Sequence, residues 1–211
     1  MKLNFAERLL VNNSARAMVQ RFYEGPLLRK VGGPVRDGVV LEIGCGRGAG
    51  VEVILRQFQA AHVFAIDLDS LQTERARKRL QYKYDGQFTL MLGDAEQLPF
   101  DNGSFDAVID FGVLHHVLDW KRAIAEIRRV LKPGGTFYFE EVTRAALERW
   151  LYRKFLRHPT ENRFSEAEFL KEMSNYGMEP ERMVHRVFFG DIFIGAAKLR
   201  SMRVTDACCR R

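Results

Sequence analysis

Strand-length apolar runs alternate with segments of helical period through the middle of this chain, and that alternation restricts the fold more than any other feature. The runs VVLEIG, FAID, FTLML, FDAVIDF and TFYFEEV are rich in β-branched and aromatic residues. Between them VEVILRQF, DSLQTERARKRLQY and WKRAIAEIRRVL have helical spacing. In the last, Ile124, Ile127 and Leu131 share one face while Arg122, Arg128, Arg129 and Lys132 surround the other. Strands without a polar face need cover on both sides, which predicts a parallel sheet between layers of helices, an α/β fold. SEAE at Ser165 to Glu168 is a capping box, and Gly177 suits the position after the helix FLKEMSNY. RMVHRVFFGDIFIGAAKLR reads as two strands around a two-residue, glycine-first turn at Gly190-Asp191, so the sheet should finish on an antiparallel edge. The first ~30 residues read as an amphipathic helix that ends near Gly25-Pro26 and again at Gly32-Gly33-Pro34.

With 211 residues, 46% of them hydrophobic, the chain is long enough to bury one core without disulfides or metals, and two full domains would be cramped. Cys45 lies in a glycine turn and Cys208 and Cys209 sit beside the C-terminus. That spacing fits neither a disulfide framework nor a zinc site and suits a reducing, cytoplasmic setting. MKLNFAERLLVNNSARAMVQ breaks its apolar residues with Glu7, Arg8, Asn12, Asn13 and Arg16, unlike a signal peptide. No stretch reaches the ~20 apolar residues of a membrane span. Charge is unevenly placed: residues 1–38, 144–163 and 198–211 each carry a net +4 while the whole chain carries +6, so the remainder is acidic and the appended pieces are basic.

VVLEIGCGRGAG, Val39 to Gly50, contains G-x-G-x-x-A at Gly44, Gly46 and Ala49, the mark of a strand turning sharply into a helix where a ligand approaches the backbone. In a dinucleotide site such a turn faces a doubly charged pyrophosphate. Glu42, two residues before Gly44, would repel that group and pair instead with a cationic amine, which favours a zwitterionic ligand. The second strand ends in FAIDLDS, where Asp67, 23 residues after Gly44, is placed to accept from both hydroxyls of a ribose. After the third strand comes LGDAEQLPF. Asp94 there is placed to accept the exocyclic amine of an adenine, with Leu98, Pro99 and Phe100 as an apolar wall. Nicotinamide fingerprints include no such element. The fourth strand leads into DFGVLHHVLDW, and RRVLKPGGTFYF supplies a helix, a turn and the fifth strand.

In order and spacing these five motifs, from about Val39 to Lys198, resemble those of the class I S-adenosylmethionine-dependent methyltransferases, specifically the small-molecule group found among quinone, lipid and natural-product methyltransferases. The resemblance implies a Rossmann-like, doubly wound sheet of seven strands, mostly parallel with an antiparallel final hairpin, plus N-terminal and inserted lid helices. It divides the chain into an N-terminal helical lid over 1–38, an S-adenosylmethionine-binding domain over 39–200 with an inserted lid helix at about 143–163, and a basic tail over 201–211. It also implies S-adenosylmethionine as the cofactor. Glu42, Gly44 and Gly46 would line its methionine part, Asp67 would hold the ribose with Leu68 beside the adenine, Asp94 and Ala95 would meet the adenine edge, and Phe111 and Leu114 would border the methionine and sulfonium.

Methyl transfer from a sulfonium is an in-line displacement on an activated carbon, so the protein's task is alignment and exclusion of water, worth roughly 7 to 11 kcal/mol. A general base enters only where the acceptor must lose a proton. The reaction needs no metal, and the five histidines, His62, His115, His116, His158 and His185, show no ligand spacing. His115 and, behind it, His116 follow the fourth strand as candidates for the base; Glu140, ending the fifth, is a second catalytic candidate, with Glu141 as an acceptor contact. Tyr23 would reach the pocket from the N-terminal helix, whose apolar Leu3, Phe5, Leu9, Leu10, Met18, Val19, Phe22 and Leu27 need a partner surface. In TRAALERWLYRKFLRHP, Leu147, Trp150, Leu151 and Phe155 form an apolar face beside a ridge of Arg149, Arg153, Lys154 and Arg157; Arg149, Trp150 and Arg153 are acceptor-site candidates. The leading reading is an enzyme that methylates a small or lipid-like acceptor, the basic pieces suiting an anionic acceptor or peripheral contact with an anionic membrane. Two alternatives stand beside it. One is an RNA methyltransferase, argued from a pI near 9.4 and the basic appended pieces but without a recognised RNA-binding module. The other is a non-catalytic S-adenosylmethionine-binding partner protein.

Overall fold

The computed structural model describes residues 14–148, 162–180, 185–187 and 190–200. The first element is a continuous helix, α1, made of Ser14–Val19, a π-helical turn at Gln20–Glu24, and Gly25–Gly32. The stop expected at Gly25-Pro26 does not occur. Gly25 N–H bonds to Gln20 O five residues back, and this wider turn makes room for Pro26, which has no N–H to bond and whose ring crowds the preceding turn. The helix ends instead at Gly33, where φ is 83° and the left-handed backbone turns the chain away.

There follow β1 (Val39–Ile43), α2 (Ala49–Val53, prolonged by a π-helical turn Ile54–Phe58), β2 (His62–Asp67), α3 (Ser70–Leu80), β3 (Phe88–Leu92) and β4 (Phe105–Phe111). A 3-10 turn at Leu114–His116 leads to α4 (Trp120–Val130), β5 (Leu131–Val142), α5 (Arg144–Leu147), α6 (Glu166–Asn175), β6 (Met178–Pro180), β7 (His185–Val187) and β8 (Ile192–Leu199). Side chains set the helix starts: Asp69 accepts from Leu71 N–H to open α3, Asp119 from Arg122 N–H to open α4, and the expected capping box of Ser165 and Glu168 opens α6.

The sheet runs β3-β2-β1-β4-β5-β8-β6, with β1 to β5 parallel and β8 antiparallel to β5. It has seven positions, the outermost shared by two short strands, since β7 pairs with β8 beyond the stretch that β6 occupies. The closing hairpin is present but its turn is not the expected one. Val187 pairs with Ile192, so four positions separate the strands rather than two. Asp191 is drawn out of the hairpin because its carbonyl accepts Thr143 N–H at 2.8 Å, and the long β5–β8 ladder sets the register.

Apolar side chains cover both faces. Leu41 and Ile43 of β1 point to the side of α4 and α6, and Val40 to the side of α1 to α3. On the first side Trp120, Phe139, Phe164, Phe169 and Phe193 form one aromatic group, with ring centroids 4.9 Å apart for Trp120–Phe164 and 5.0 Å for Phe164–Phe169. Each buried ring contributes about 1.5–3 kcal/mol. On the other side the C-terminal half of α1 is part of the core: Leu28 is fully buried and the Tyr138 hydroxyl donates to the Gly32 and Gly33 carbonyls at 3.0 and 2.9 Å. The strand order reverses between β1 and β4, which opens a crevice at their carboxyl ends, where ligands of doubly wound sheets bind.

Candidate active site

A cavity of about 410 Å³ fills that crevice. Its back wall is the turn after β1. Gly44 and Gly46 have φ of 69° and 50°, and at Gly46 an added side chain would project into open space, so the loop presents bare backbone to a ligand. Asp67 ends β2 and fixes the loop: its Oδ2 accepts Gly46 N–H and its Oδ1 accepts Asp69 N–H, both at 2.9 Å. The four lone-pair sites on the two oxygens leave room for a further donor. Leu68, Asp94, Ala95 and Phe111 also line the cavity, and Asp94 Oδ1 accepts Glu96 N–H at 2.9 Å, bracing the loop after β3.

Two residues expected to line the cofactor lie behind the wall. Glu42 is 1% exposed and accepts Val51 N–H near the start of α2. Its Oε1 lies where a Cβ on Gly50 would stand, and its Oε2 has no hydrogen-bond partner among the described residues. Burial first, then the nearby Asp67 and Asp110, pushes its carboxyl well above the usual range. Leu114 is fully buried, and what it offers the site is its N–H, donated to Glu141 Oε1 at 2.6 Å. Cys45 does line the cavity, but burial and the neighbouring Glu42 and Asp67 raise its thiol well above its normal pKa, so it stays a neutral packing group.

The ends of β4 and β5 carry a group of buried acids, in which Asp110, not singled out from the sequence, joins Glu140 and Glu141. Glu141 is completely buried, not an acceptor contact; it takes N–H bonds from Leu114, His115 and Val142, and the His115 ring at Nδ1 (2.7 Å). Burial raises it to about 7. Asp110, fully buried, lies beside Glu141, and Glu140 lies beside Glu24 of α1, so in each pair the neighbouring acid opposes ionisation. Burial first, and then the partner acid, places Asp110 and Glu140 well above the ordinary carboxylate range. Arg16 of α1 ties the group together: it pairs with Glu24, stands 4.0 Å from Glu140 and donates to Phe111 O at 3.2 Å.

His116, rather than His115, is the imidazole on the cavity wall; His115 lies behind it against Glu141, the two ring centroids 4.2 Å apart. Glu140 is likewise off the wall, at the Arg16 cluster. Tyr23 is 47% exposed on the outer face of α1, whose inner face brings Arg16, Ala17 and Gln20 to the cavity instead. Val113, Val117 and Leu118 extend the cavity along an apolar arm. Arg149, Trp150 and Arg153 lie outside the described residues, as do Tyr152, Cys208 and Cys209. Among the described residues no group of three His, Cys, Asp or Glu side chains could hold a metal ion, and no helix is long and apolar enough to cross a membrane.

The methyltransferase-domain family matches residues 41–139, from the strand before the glycine turn to the strand bearing Glu140. The match takes in just under half of the chain, and the fold around it is that of the S-adenosylmethionine-dependent methyltransferases. Over 166 residues, 74% of its length, it is 32% identical to the phthiotriol/phenolphthiotriol dimycocerosates methyltransferase of Mycobacterium tuberculosis, and it spans 60% of that relative's length. A fatty-acid O-methyltransferase of Mycolicibacterium smegmatis is 35% identical over 102 residues, 48% of this chain and 36% of the relative. The chain also superposes on an S-adenosylmethionine-dependent methyltransferase from Aquifex aeolicus with a TM-score of 0.73 at 18% identity, covering 94% of this chain and all of that one. The cavity fits S-adenosylmethionine on its own evidence. Bare backbone faces a carboxylate, Asp67 keeps acceptor capacity for ribose hydroxyls, and the unsatisfied Glu42 Oε2 behind the loop suits an ammonium reached directly or through a water.

Proposed function

We propose that this domain transfers the methyl group of S-adenosylmethionine to a lipid-like or small acceptor, at an oxygen atom. The observation that carries the reading is one continuous cavity in which the glycine turn, Asp67 and Asp94 share a wall with His116 and the apolar arm of Val113, Val117 and Leu118. The names of the two mycobacterial relatives, one a methyltransferase of phthiotriol lipids and one of fatty acids, support an acceptor of this class. When bound, the cofactor supplies a methyl group already activated by a positively charged sulfur. The chain's own work is placement. Asp67 and the glycine turn fix one end, α1 closes the cavity with Ala17 and Gln20, and the apolar arm excludes water from the path of attack. For a hydroxyl acceptor, His116 is the group on the wall able to take the proton, with the His115–Glu141 pair packed behind it to hold the segment in place.

Titration calorimetry tests the cofactor assignment. Asp67→Ala should weaken S-adenosylmethionine by ~2–4 kcal/mol through two lost hydrogen bonds to a charged acceptor, and NAD should not bind either protein. Unchanged affinity in the variant would remove the assignment. With a labelled methyl donor and hydroxylated lipids, His116→Ala should lower kcat by about 10²- to 10⁴-fold at unchanged cofactor affinity. A wild-type kcat in that variant would end the base role and point to an acceptor already deprotonated, such as a carboxylate.

A further inference from the structure

α1 is an amphipathic helix mounted the wrong way round for a soluble protein. Arg16, Ala17 and Gln20 of its N-terminal half face the cavity, and Glu24 is buried beside them. The opposite face, at spacings of three and four, carries Ala15, Met18, Val19, Phe22, Tyr23 and Pro26, all exposed. Met18, Val19, Phe22 and Tyr23 are 59%, 45%, 67% and 47% exposed, the densest group of uncovered large apolar side chains among the described residues. Cations border this patch. Arg21 is exposed with its guanidinium 5.3 Å from the Phe22 ring centroid, and Arg29 and Lys30 are exposed one to two turns further on. Glu24 is the helix's one described carboxylate and it points inward, so the outer face bears positive charge alone.

From this arrangement we propose that the outer face of α1 docks on a membrane surface bearing anionic headgroups. Phe22, Met18 and Val19 enter the headgroup boundary, while Arg21, Arg29 and Lys30, whose stems are apolar and whose tips are charged, pair with lipid phosphates. Charge complementarity selects this occupant: a wholly cationic rim around an apolar patch repels a second copy of itself. The inference deepens the reading of a lipid-like acceptor and rests on it, because the helix that would lie on the bilayer is also a wall of the cavity, with Leu118, 57% exposed, at the cavity mouth. A lipid would then reach the site without crossing water.

Co-sedimentation of the full chain with vesicles tests this. Capture is expected on phosphatidylglycerol vesicles at low salt, weakened about tenfold on phosphatidylcholine or at high salt. Met18→Ser with Phe22→Ser should weaken capture at least about tenfold. Arg21→Glu with Arg29→Glu, which keeps the apolar patch, should do the same. Each variant is checked by its melting curve and by its calorimetric affinity for S-adenosylmethionine, both expected to equal wild type. Failure of the wild-type chain to sediment with phosphatidylglycerol, or capture of both double variants at the wild-type level, would overturn docking. So would a dimer in ultracentrifugation that Met18→Ser with Phe22→Ser dissociates, which would assign the face to a second copy. Cofactor calorimetry on the wild-type chain judges the methyltransferase reading separately, since vesicle capture needs no cofactor.

Discussion

Gly50 has no side chain because Glu42 occupies the space. A Cβ there would stand 1.9 Å from Glu42 Oε1 and 2.9 Å from the Phe111 ring, and both neighbours are buried. Gly50→Ala should therefore destabilise the domain by about 1–3 kcal/mol through overpacking, read as a shift of the urea midpoint at unchanged slope. The same residues mark where local reading worked and where it did not. Gly44, Gly46, Asp67, Asp94, Ala95 and Phe111 line the cavity as the motifs implied, since each sits at a strand end or in a turn whose geometry the chain determines locally. Glu42 was assigned to the ligand from its charge; it also accepts the Val51 N–H, a group that becomes available only once α2 folds back over β1, while its Oε2 has no hydrogen-bond partner among the described residues. His115 and His116 are neighbours of equal chemistry. Which one faces the cavity depends on Glu141, 26 positions from His115, so adjacent letters in the sequence could not order them.

The ends of β4 and β5 make stability depend on pH in an unusual direction. Asp110, Glu140 and Glu141 all hold their protons more tightly folded than unfolded, Glu141 up to about 7. An acid with a raised folded pKa contributes its stability in full below the ordinary carboxylate range and loses it as pH rises through the folded value. The unfolding free energy should accordingly fall between about pH 5 and pH 8, the interval in which Glu141 gives up its proton. Asp110→Asn removes one of the two paired acids, while the amide oxygen can still accept Val113 N–H and its NH₂ can donate to Glu141. That variant should flatten the fall, and an equally steep pH profile in chemical denaturation would refute the pairing. α1 shows how a correct helix can be given the wrong orientation. Reading its apolar residues as the buried face is the default for a helix on a sheet, and it holds for Leu27, which packs partly buried against the core. It fails for Met18, Val19 and Phe22, because the first half of the helix lies over a polar cavity rather than over the sheet.

Across the whole chain the parallel sheet, its helical layers and its antiparallel edge were legible, because strands buried on both faces leave a continuous apolar signature. The hairpin turn was not, since the ladder between β5 and β8 overrides the local preference of Gly190-Asp191. A cavity assembled from β1, β2, β4 and α1 couples ligand binding to folding of the whole domain. S-adenosylmethionine at a hundred times its Kd should raise the unfolding free energy by about 2.7 kcal/mol in one cooperative transition, and NAD at the same concentration should leave it unchanged. A calorimetric scan that splits into two transitions would show that α1 folds apart from the sheet. The π-helical turn at Gln20–Glu24 also sets a phase relation between the two ends of that helix. One residue more or less rotates everything before it by about 100° relative to the anchored half. A single-residue deletion within the turn would leave Leu28, Val31 and the sheet undisturbed while swinging Arg16 off the cavity and turning Phe22 with it, so both faces of the helix are indexed by one extra residue.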